Sequence, residues 1–347
     1  MAVNKGDRSM KKQYLLAMLI ATTLAFTGCS DVKPSDSSQA TASQSSTHET
    51  KAYTVNYEYN GENYSVSFKG APKKAISLSH FTTEMLLAIG AEDHLIGRGH
   101  STNKILPEFE EAFNRIPVIS EKGYPSKEIL LNLEPDFVTG WSNFLSEKNS
   151  GPIDYLLEQH MNPLILKSAG GSANLDTVYD DFRMLGDIFD VKTNAEKVIT
   201  TMQKEAKEVS DKTKDIPKKV KVIGYDSGED QPFVVAGGLG GSLIEAAGGI
   251  NAFANIKDTP TGYKTISWEE IASQNPDVFV VVDYQWKDKT GFDEKVAFLK
   301  NHPLLKDVTA IKNNAFVRVE LADLSPGVRN TRILKDLAKG FYNIDFN

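Results

Sequence analysis

Ser126-Lys-Glu-Ile-Leu-Leu-Asn-Leu-Glu-Pro-Asp-Phe-Val138 returns in the second half of the chain as Ser267-Trp-Glu-Glu-Ile-Ala-Ser-Gln-Asn-Pro-Asp-Val-Phe279. Each copy reads as a short helix opened by a capping serine, then a Pro-Asp break, then a hydrophobic strand. The serine, the acid two residues after it and the Pro-Asp step keep one spacing in both copies. Two α/β lobes built alike are therefore expected, with the cleft between them as the place where function happens.

Comparable signals flank each copy. Tyr53-Thr-Val-Asn-Tyr57 and Tyr64-Ser-Val-Ser-Phe68 alternate about Asn60-Gly61, which predicts a hairpin within residues 51–70. Ala75-Ile-Ser-Leu-Ser79 reads as a strand feeding a helix from Thr82 to Ile89 that stops at Gly90. Leu95-Ile-Gly97, Phe137-Val-Thr139 and Leu164-Ile-Leu166 add strands between helices, an alternation that implies a parallel sheet and a lobe over residues 71–192. From Leu175 to Lys214 the strand signal stops and apolar residues fall at helical spacing. The stretch 193–215 is rich in Lys and Glu with a narrow apolar stripe, the pattern of a solvated helix joining two lobes. Val220-Lys-Val-Ile-Gly-Tyr225 restarts the alternation, and 216–347 forms the second lobe.

The N-terminal segment sets the compartment. Met10-Lys-Lys-Gln-Tyr-Leu-Leu-Ala-Met-Leu-Ile-Ala-Thr-Thr-Leu-Ala-Phe-Thr-Gly-Cys29 has a basic start, a short apolar stretch and small residues at its end, the layout of a secretory signal over residues 1–28. Cys29 is the only cysteine among 347 residues, which rules out a disulfide framework. Phe26-Thr-Gly-Cys29 resembles a bacterial lipobox with Phe at its first position, so lipidation of Cys29 is expected. Residues 29–50 are rich in Ser, Thr and Gln and form a flexible tether. A formal charge of −7 argues against a nucleic-acid partner.

Ligand residues are expected on loops after strand ends. Those loops carry His80, Phe81, Arg98, His100, Trp141, Tyr225, Phe233, Tyr284, Trp286 and Arg329. Their aromatics and few polar donors suit a large, partly apolar, anionic or hydrogen-bonding chelate. The glycine-rich run Phe233–Gly241 lacks the order of a phosphate-binding loop. No nucleophile elbow, His-Glu-x-x-His motif or metal-ligand spacing is present, so an enzyme, a resident cofactor and a metal site are not expected.

The lipobox, tether, helix-Pro-Asp-strand unit, long joining helix and Leu243-Ile-Glu-Ala-Ala-Gly-Gly-Ile-Asn-Ala-Phe253 together resemble the substrate-binding proteins of ABC importers for iron complexes and vitamin B12. The resemblance covers roughly residues 71 to 345. It implies an α/β fold of two Rossmann-like lobes joined by a long α-helix, the class III binding-protein architecture. It also implies a monomer tethered to the membrane that captures a ferric siderophore or corrinoid and hands it to a permease dimer. In that family an acid on each lobe docks onto permease arginines, and Glu128 and Glu245 fall on those positions. Glu269 is a rival for the second, since it matches Glu128 within the repeat. Both preferred acids have local explanations: Ser242-x-x-Glu245 reads as a capping box, and Glu128 sits in a first helical turn after Ser126. Trp141 matches a position where vitamin B12 binders place an aromatic on the ligand. The competing readings are haem ligation by His80, Tyr225, Tyr263 or Tyr284, free-metal binding at His80 and His100, and a hydrolase built on the same histidines.

Overall fold

The computed structural model describes residues 52–101, 103–256, 259–284 and 290–346. Cys29 and Trp286, both singled out above, lie outside these residues.

The two repeat copies fold alike down to individual hydrogen bonds. In the first, Ser126 accepts the Ile129 N–H and opens helix α3 (Lys127–Leu133); in the second, Ser267 accepts the Glu270 N–H and opens α8 (Trp268–Gln274). Glu134 and Asn275 then turn left-handed, at φ 50° and 44°, and place the following proline outside the helix. The aspartate of each Pro-Asp step holds the start of a neighbouring strand. Asp136 accepts the backbone N–H of Lys73 and Lys74 just before β3 (Ala75–Ser77), and Asp277 accepts that of Lys221, the first residue of β8 (Lys221–Ser227). Even the lysine ammoniums correspond: Lys74 Nζ donates to the Leu133 carbonyl and Lys221 Nζ to that of Gln274.

Around these cores the lobes differ. An antiparallel hairpin, β1 (Tyr53–Tyr59) and β2 (Glu62–Phe68), turns through positive φ at Asn60 and Gly61. It packs Val55, Tyr57, Val66 and Phe68 onto the first lobe, where the Tyr57 hydroxyl donates to the Pro163 carbonyl at 2.6 Å. That lobe's sheet is parallel throughout, in the order β5-β4-β3-β6-β7, with β4 (Leu95–Gly99), β5 (Val118–Ser120), β6 (Phe137–Thr139) and β7 (Pro163–Leu164). Helices α1 (His80–Ala88), α2 (Glu110–Arg115) and α4 (Ile153–Glu158) complete it.

The second sheet keeps a parallel centre, β8-β12-β13, with β12 (Val278–Asp283) and β13 (Phe316–Glu320). Its other side departs from the expected strand-helix alternation. β9 (Phe233–Val235) runs antiparallel to β8 and β11 (Tyr263–Thr265) antiparallel to β9, while β10 (Ile250–Asn251) adds parallel to β8. The short loop through Gly228, at φ 91°, leaves room only for a hairpin return. Helices α7 (Gly238–Ala246), α9 (Phe292–Asn301), α10 (Thr309–Lys312) and α11 (Leu321–Leu324) flank this sheet.

Helix α5 (Leu175–Ile188) is followed by α6 (Lys192–Thr213), the helix that runs from one lobe to the other, and α12 (Arg329–Tyr342) packs on α6. At 22 residues α6 is about 33 Å long. It buries only Ala195, Ile199, Met202, Val209 and Thr213, so its exposed side is charged while one stripe anchors it. A single apolar cluster runs from the first lobe through α5, α6 and α12 to one face of the second sheet. The opposite face of that sheet has its own cluster around Tyr225, Phe253, Trp268 and Phe279. A shared core of this kind, with one helical crossing, allows the lobes small adjustments rather than wide hinge opening.

Candidate ligand-binding cleft

The N-terminal wall is built where β3 and β6 end. The backbone N–H of Trp141 donates to Ser79 Oγ at 2.8 Å, which ties the turn after β6 to the start of α1. Gly140 permits the approach, since a Cβ there would lie 3.0 Å from Leu78. The Trp141 ring sits 4.5 Å from that of Phe81, making an aromatic platform, and Trp141 remains 37% exposed. His100 and Tyr124 border the same space, and His100 Nδ1 is buried with no hydrogen-bond partner.

The C-terminal wall sets hydrogen-bonding groups, Asp226 and Tyr284, among apolar residues such as Phe233, Leu239 and Leu324. At the end of β8, Asp226 accepts both its neighbour's Ser227 hydroxyl and the Tyr284 hydroxyl, the latter at 2.9 and 2.8 Å to its two oxygens. Burial, with the Asp226 carboxylate beside it, pushes the Tyr284 phenol well above its ordinary range, and Tyr263 is pushed up for the same two reasons. Lys295 braces this wall from behind: its Nζ donates to the carbonyls of Asp226 and Val282 and lies 4.3 Å from the Tyr284 ring centre. Phe233 stacks on Tyr263 at 5.3 Å between centroids, diagonally across the β9–β11 pairing.

Two adjoining chambers of ≈ 240 and ≈ 220 Å³ lie between these walls and share Trp141, Leu321 and Ser325. Each alone is smaller than the roughly 300–1,000 Å³ of ordinary ligand pockets, and only together do they reach that range. A ligand of useful size must therefore touch both lobes. Larger hollows exist on α6, but they are open surface grooves away from both walls.

Glycines let the lobes meet beside the second chamber. A Cβ on Gly171 would fall 1.7 Å from the Thr259 carbonyl oxygen, and Gly238, at φ 58°, lies against Gly262 and the carbonyls of Gly170 and Gly171. The Gly-rich run after Phe233 is thus a contact between backbones. Asp181, buried on α5, fixes the turn leading into Gly170 by accepting the N–H of Lys167 and Ser168 and the Ser168 hydroxyl. Burial pushes its carboxyl up to about 6 against these stabilising bonds.

Several residues expected at the cleft are committed elsewhere. Arg98 lies under the Phe113 ring, 3.8 Å from its centroid, and donates to the Phe113 and Gly99 carbonyls. Arg329 forms a two-pronged pair with Glu84, both contacts 2.7 Å, and donates to the Lys104 carbonyl. His80 does border the first chamber, but its ring is buried at the start of α1, with Nδ1 2.8 Å from Ser101 Oγ and Nε2 3.1 Å from Glu84 Oε1. Burial alone would raise the Glu84 carboxyl, but the bonds from Arg329 and His80 hold it down at about 2. Tyr225 faces away from the cleft chambers, packs on Trp268 and donates to the Gly228 carbonyl. Its neighbour Asp226, on the same strand end, takes the cleft position. Side chains alternate along a strand, and Ile223 and Tyr225 share the far face while Val222 lies on the near one.

The acids flagged for docking are exposed. Glu128 stands in the first turn of α3, Glu269 in that of α8, and Glu245 near the end of α7, beside a groove that also carries Lys207, Lys214 and Lys219. The capping box expected for Ser242 and Glu245 does not form. Helix α7 begins at Gly238, so Ser242 is already inside it and donates to the Leu239 carbonyl instead.

Residues 76–320 match the periplasmic binding protein family. The chain belongs to that family. A periplasmic binding protein from Veillonella parvula superposes with a TM-score of 0.80 at 32% identity, covering 85% of this chain and all of the other. An ABC-type Fe3+-hydroxamate transport protein from Saccharomonospora viridis gives 0.68 at 18% identity, over 82% of this chain and 98% of that one. In Bacillus subtilis strain 168, the uncharacterized ABC transporter substrate-binding lipoprotein YvrC is 23% identical over 273 residues, 79% of this chain and 81% of the relative. As a periplasmic binding protein, this chain is a solute receptor of two α/β lobes, and its cleft is where the solute would lie.

Proposed function

We propose that this protein is an extracytoplasmic receptor, lipid-anchored through Cys29, that captures a metal chelate between its lobes and delivers it to an ABC permease through Glu128 and Glu245. The observation that carries the chelate reading is the cleft's asymmetry: an aromatic platform, Phe81 and Trp141, faces a hydrogen-bonding wall, Asp226 and Tyr284. Such a space suits a bulky ligand with one apolar face and a polar rim. Among the described residues no group of three metal-ligating side chains comes together, so a bare ion has no cage here. The chemistry of relatives agrees, since the Saccharomonospora protein is named for ferric hydroxamate transport. The work of such a receptor is binding and release, and no catalysis is assigned to it.

Trp141→Ala tests the cleft. Losing an aromatic ring covered by ligand weakens binding by about 1–3 kcal/mol. Titration of wild type and variant with the transported chelate, followed by tryptophan fluorescence, measures this; equal affinity would remove Trp141 from the ligand. Cys29→Ser tests the anchor. Fractionation of cells should move the variant from the membrane to the soluble extracytoplasmic fraction, and continued membrane retention would refute lipidation.

A further inference from the structure

We propose that the cleft selects a chelate of zero or positive net charge whose metal is already fully coordinated, and that Asp226 sets this selectivity by accepting an N–H or ammonium donor from the ligand. This rests on the chelate reading of the cleft and narrows it.

Charge comes first. Among the described residues that line the two chambers there is a carboxylate, Asp226, and no lysine or arginine. The guanidiniums expected at the cleft are spent inside the protein, Arg98 on backbone carbonyls and Arg329 on Glu84. The Lys295 ammonium lies behind the wall and points at the Asp226 and Val282 carbonyls. A carboxylate accepts about four hydrogen bonds, and Tyr284 and Ser227 bring Asp226 two protons. Its remaining acceptor capacity suits a donor on the ligand. A trianionic ferric catecholate, or a haem with ionised propionates, would place negative charge against the buried Asp226 carboxylate, where repulsion is less screened than at the surface.

Coordination comes second. A metal with an open position needs a donor from the protein. Tyr284 would have to lose its proton while hydrogen-bonded to a carboxylate, and Tyr263 would have to do so near that same carboxylate. His80 is held between Ser101 and Glu84. Among the described residues of the platform wall, the buried nitrogens without a hydrogen-bond partner are His80 Nε2, which lies 3.1 Å from Glu84 Oε1, and His100 Nδ1, so at most one imidazole is uncommitted, and a bare ligand-exchanging ion needs more donors than that. A chelate that arrives with every position filled asks none of this. Its rim then meets Asp226, and its apolar face meets Trp141.

The full-length protein in detergent, titrated with four probes, tests the proposal: cyanocobalamin (uncharged), ferrioxamine B (a cationic ferric trishydroxamate), a trianionic ferric triscatecholate, and hemin. One of the first two should bind best. Asp226→Asn should weaken that probe roughly 10- to 100-fold, the range for losing a hydrogen bond to a charged partner, and narrow its advantage over the triscatecholate. Tyr284→Phe keeps the carboxylate, so the order of the four probes should persist in it even where their absolute affinities fall, and loss of that order would overturn the charge assignment. Tightest binding of the triscatecholate or hemin would overturn the charge assignment while leaving the chelate reading intact. Unchanged affinity in a folded Asp226→Asn variant would overturn the role of Asp226. Failure of all four probes to bind would overturn the chelate reading along with the proposal.

Discussion

Arg329→Met lowers the unfolding free energy by about 3–5 kcal/mol, because it leaves the Glu84 carboxylate buried against a methionine with only His80 and the Leu106 N–H to answer it. Arg329 belongs to the last helix and Glu84 to the first helix of the N-terminal lobe, so the pair links the two lobes directly. A neighbouring pair, Arg332 with Glu108 at 2.6 Å, spans the same junction but is half exposed and contributes far less. Replacing Glu84 and Arg329 together by methionine should recover much of the loss, since removing both charges also removes their desolvation cost. Urea denaturation of the two variants measures this. A single substitution costing under about 1 kcal/mol, or a double variant no better than the single, would contradict the assignment.

The same pair has a signature in acid. The folded carboxyl of Glu84 is held at about 2, below its ordinary 4.5, so its contribution is fully present above the ordinary value and is lost as pH falls toward 2. That contribution is on the order of 3 kcal/mol, and Glu84→Gln should flatten the stability profile below pH about 4. Asp181 and Asp323, both raised to about 6 first by burial, act with the opposite sign. Their stabilising share is greatest below the ordinary carboxylate range and declines as pH rises through about 6. The two effects therefore separate along the pH axis.

What the sequence made legible was the chemistry that is local. The capping serines, the left-handed exits and the Pro-Asp steps are decided by neighbouring residues, which is why the repeat announced two similar lobes. Contacts made across the chain were not legible. Arg329 finds its partner 245 residues away, and nothing around either residue marks the pairing. Tyr225 and Asp226 differ by one position on a strand, and only the parity of Ile223 and Tyr225 against Val222 tells which of them turns to the cleft. Gly238, able to adopt positive φ, starts α7 early and turns an apparent capping box into a mid-helix serine. The antiparallel β9 escaped because a short hydrophobic run before glycines looks the same in either direction.

Delivery to a permease predicts the second large effect. Glu128 and Glu245 are exposed, one on each lobe, and neither takes part in the cleft chambers. Carboxylates at such positions cost little in the free receptor and become charge-assisted bonds when a partner's arginines cover them. Truncating or reversing a buried interfacial charge costs about 2–5 kcal/mol per contact, so reversing both should abolish productive docking. The local environment of Glu245 sharpens this, since Lys207, Lys214 and Lys219 already border its groove and a further lysine there would add repulsion toward a basic partner. Glu269 offers an internal control, because it holds the same helical position as Glu128 on the other repeat copy.

The most direct test is paired measurement of ligand affinity and cellular uptake for the double variant Glu128→Lys, Glu245→Lys. A receptor that binds in its cleft and docks through these acids retains wild-type affinity while uptake falls to background, with Glu269→Lys close to wild type in both. Uptake unchanged in the double variant, or an equal fall in ligand affinity, would contradict the account.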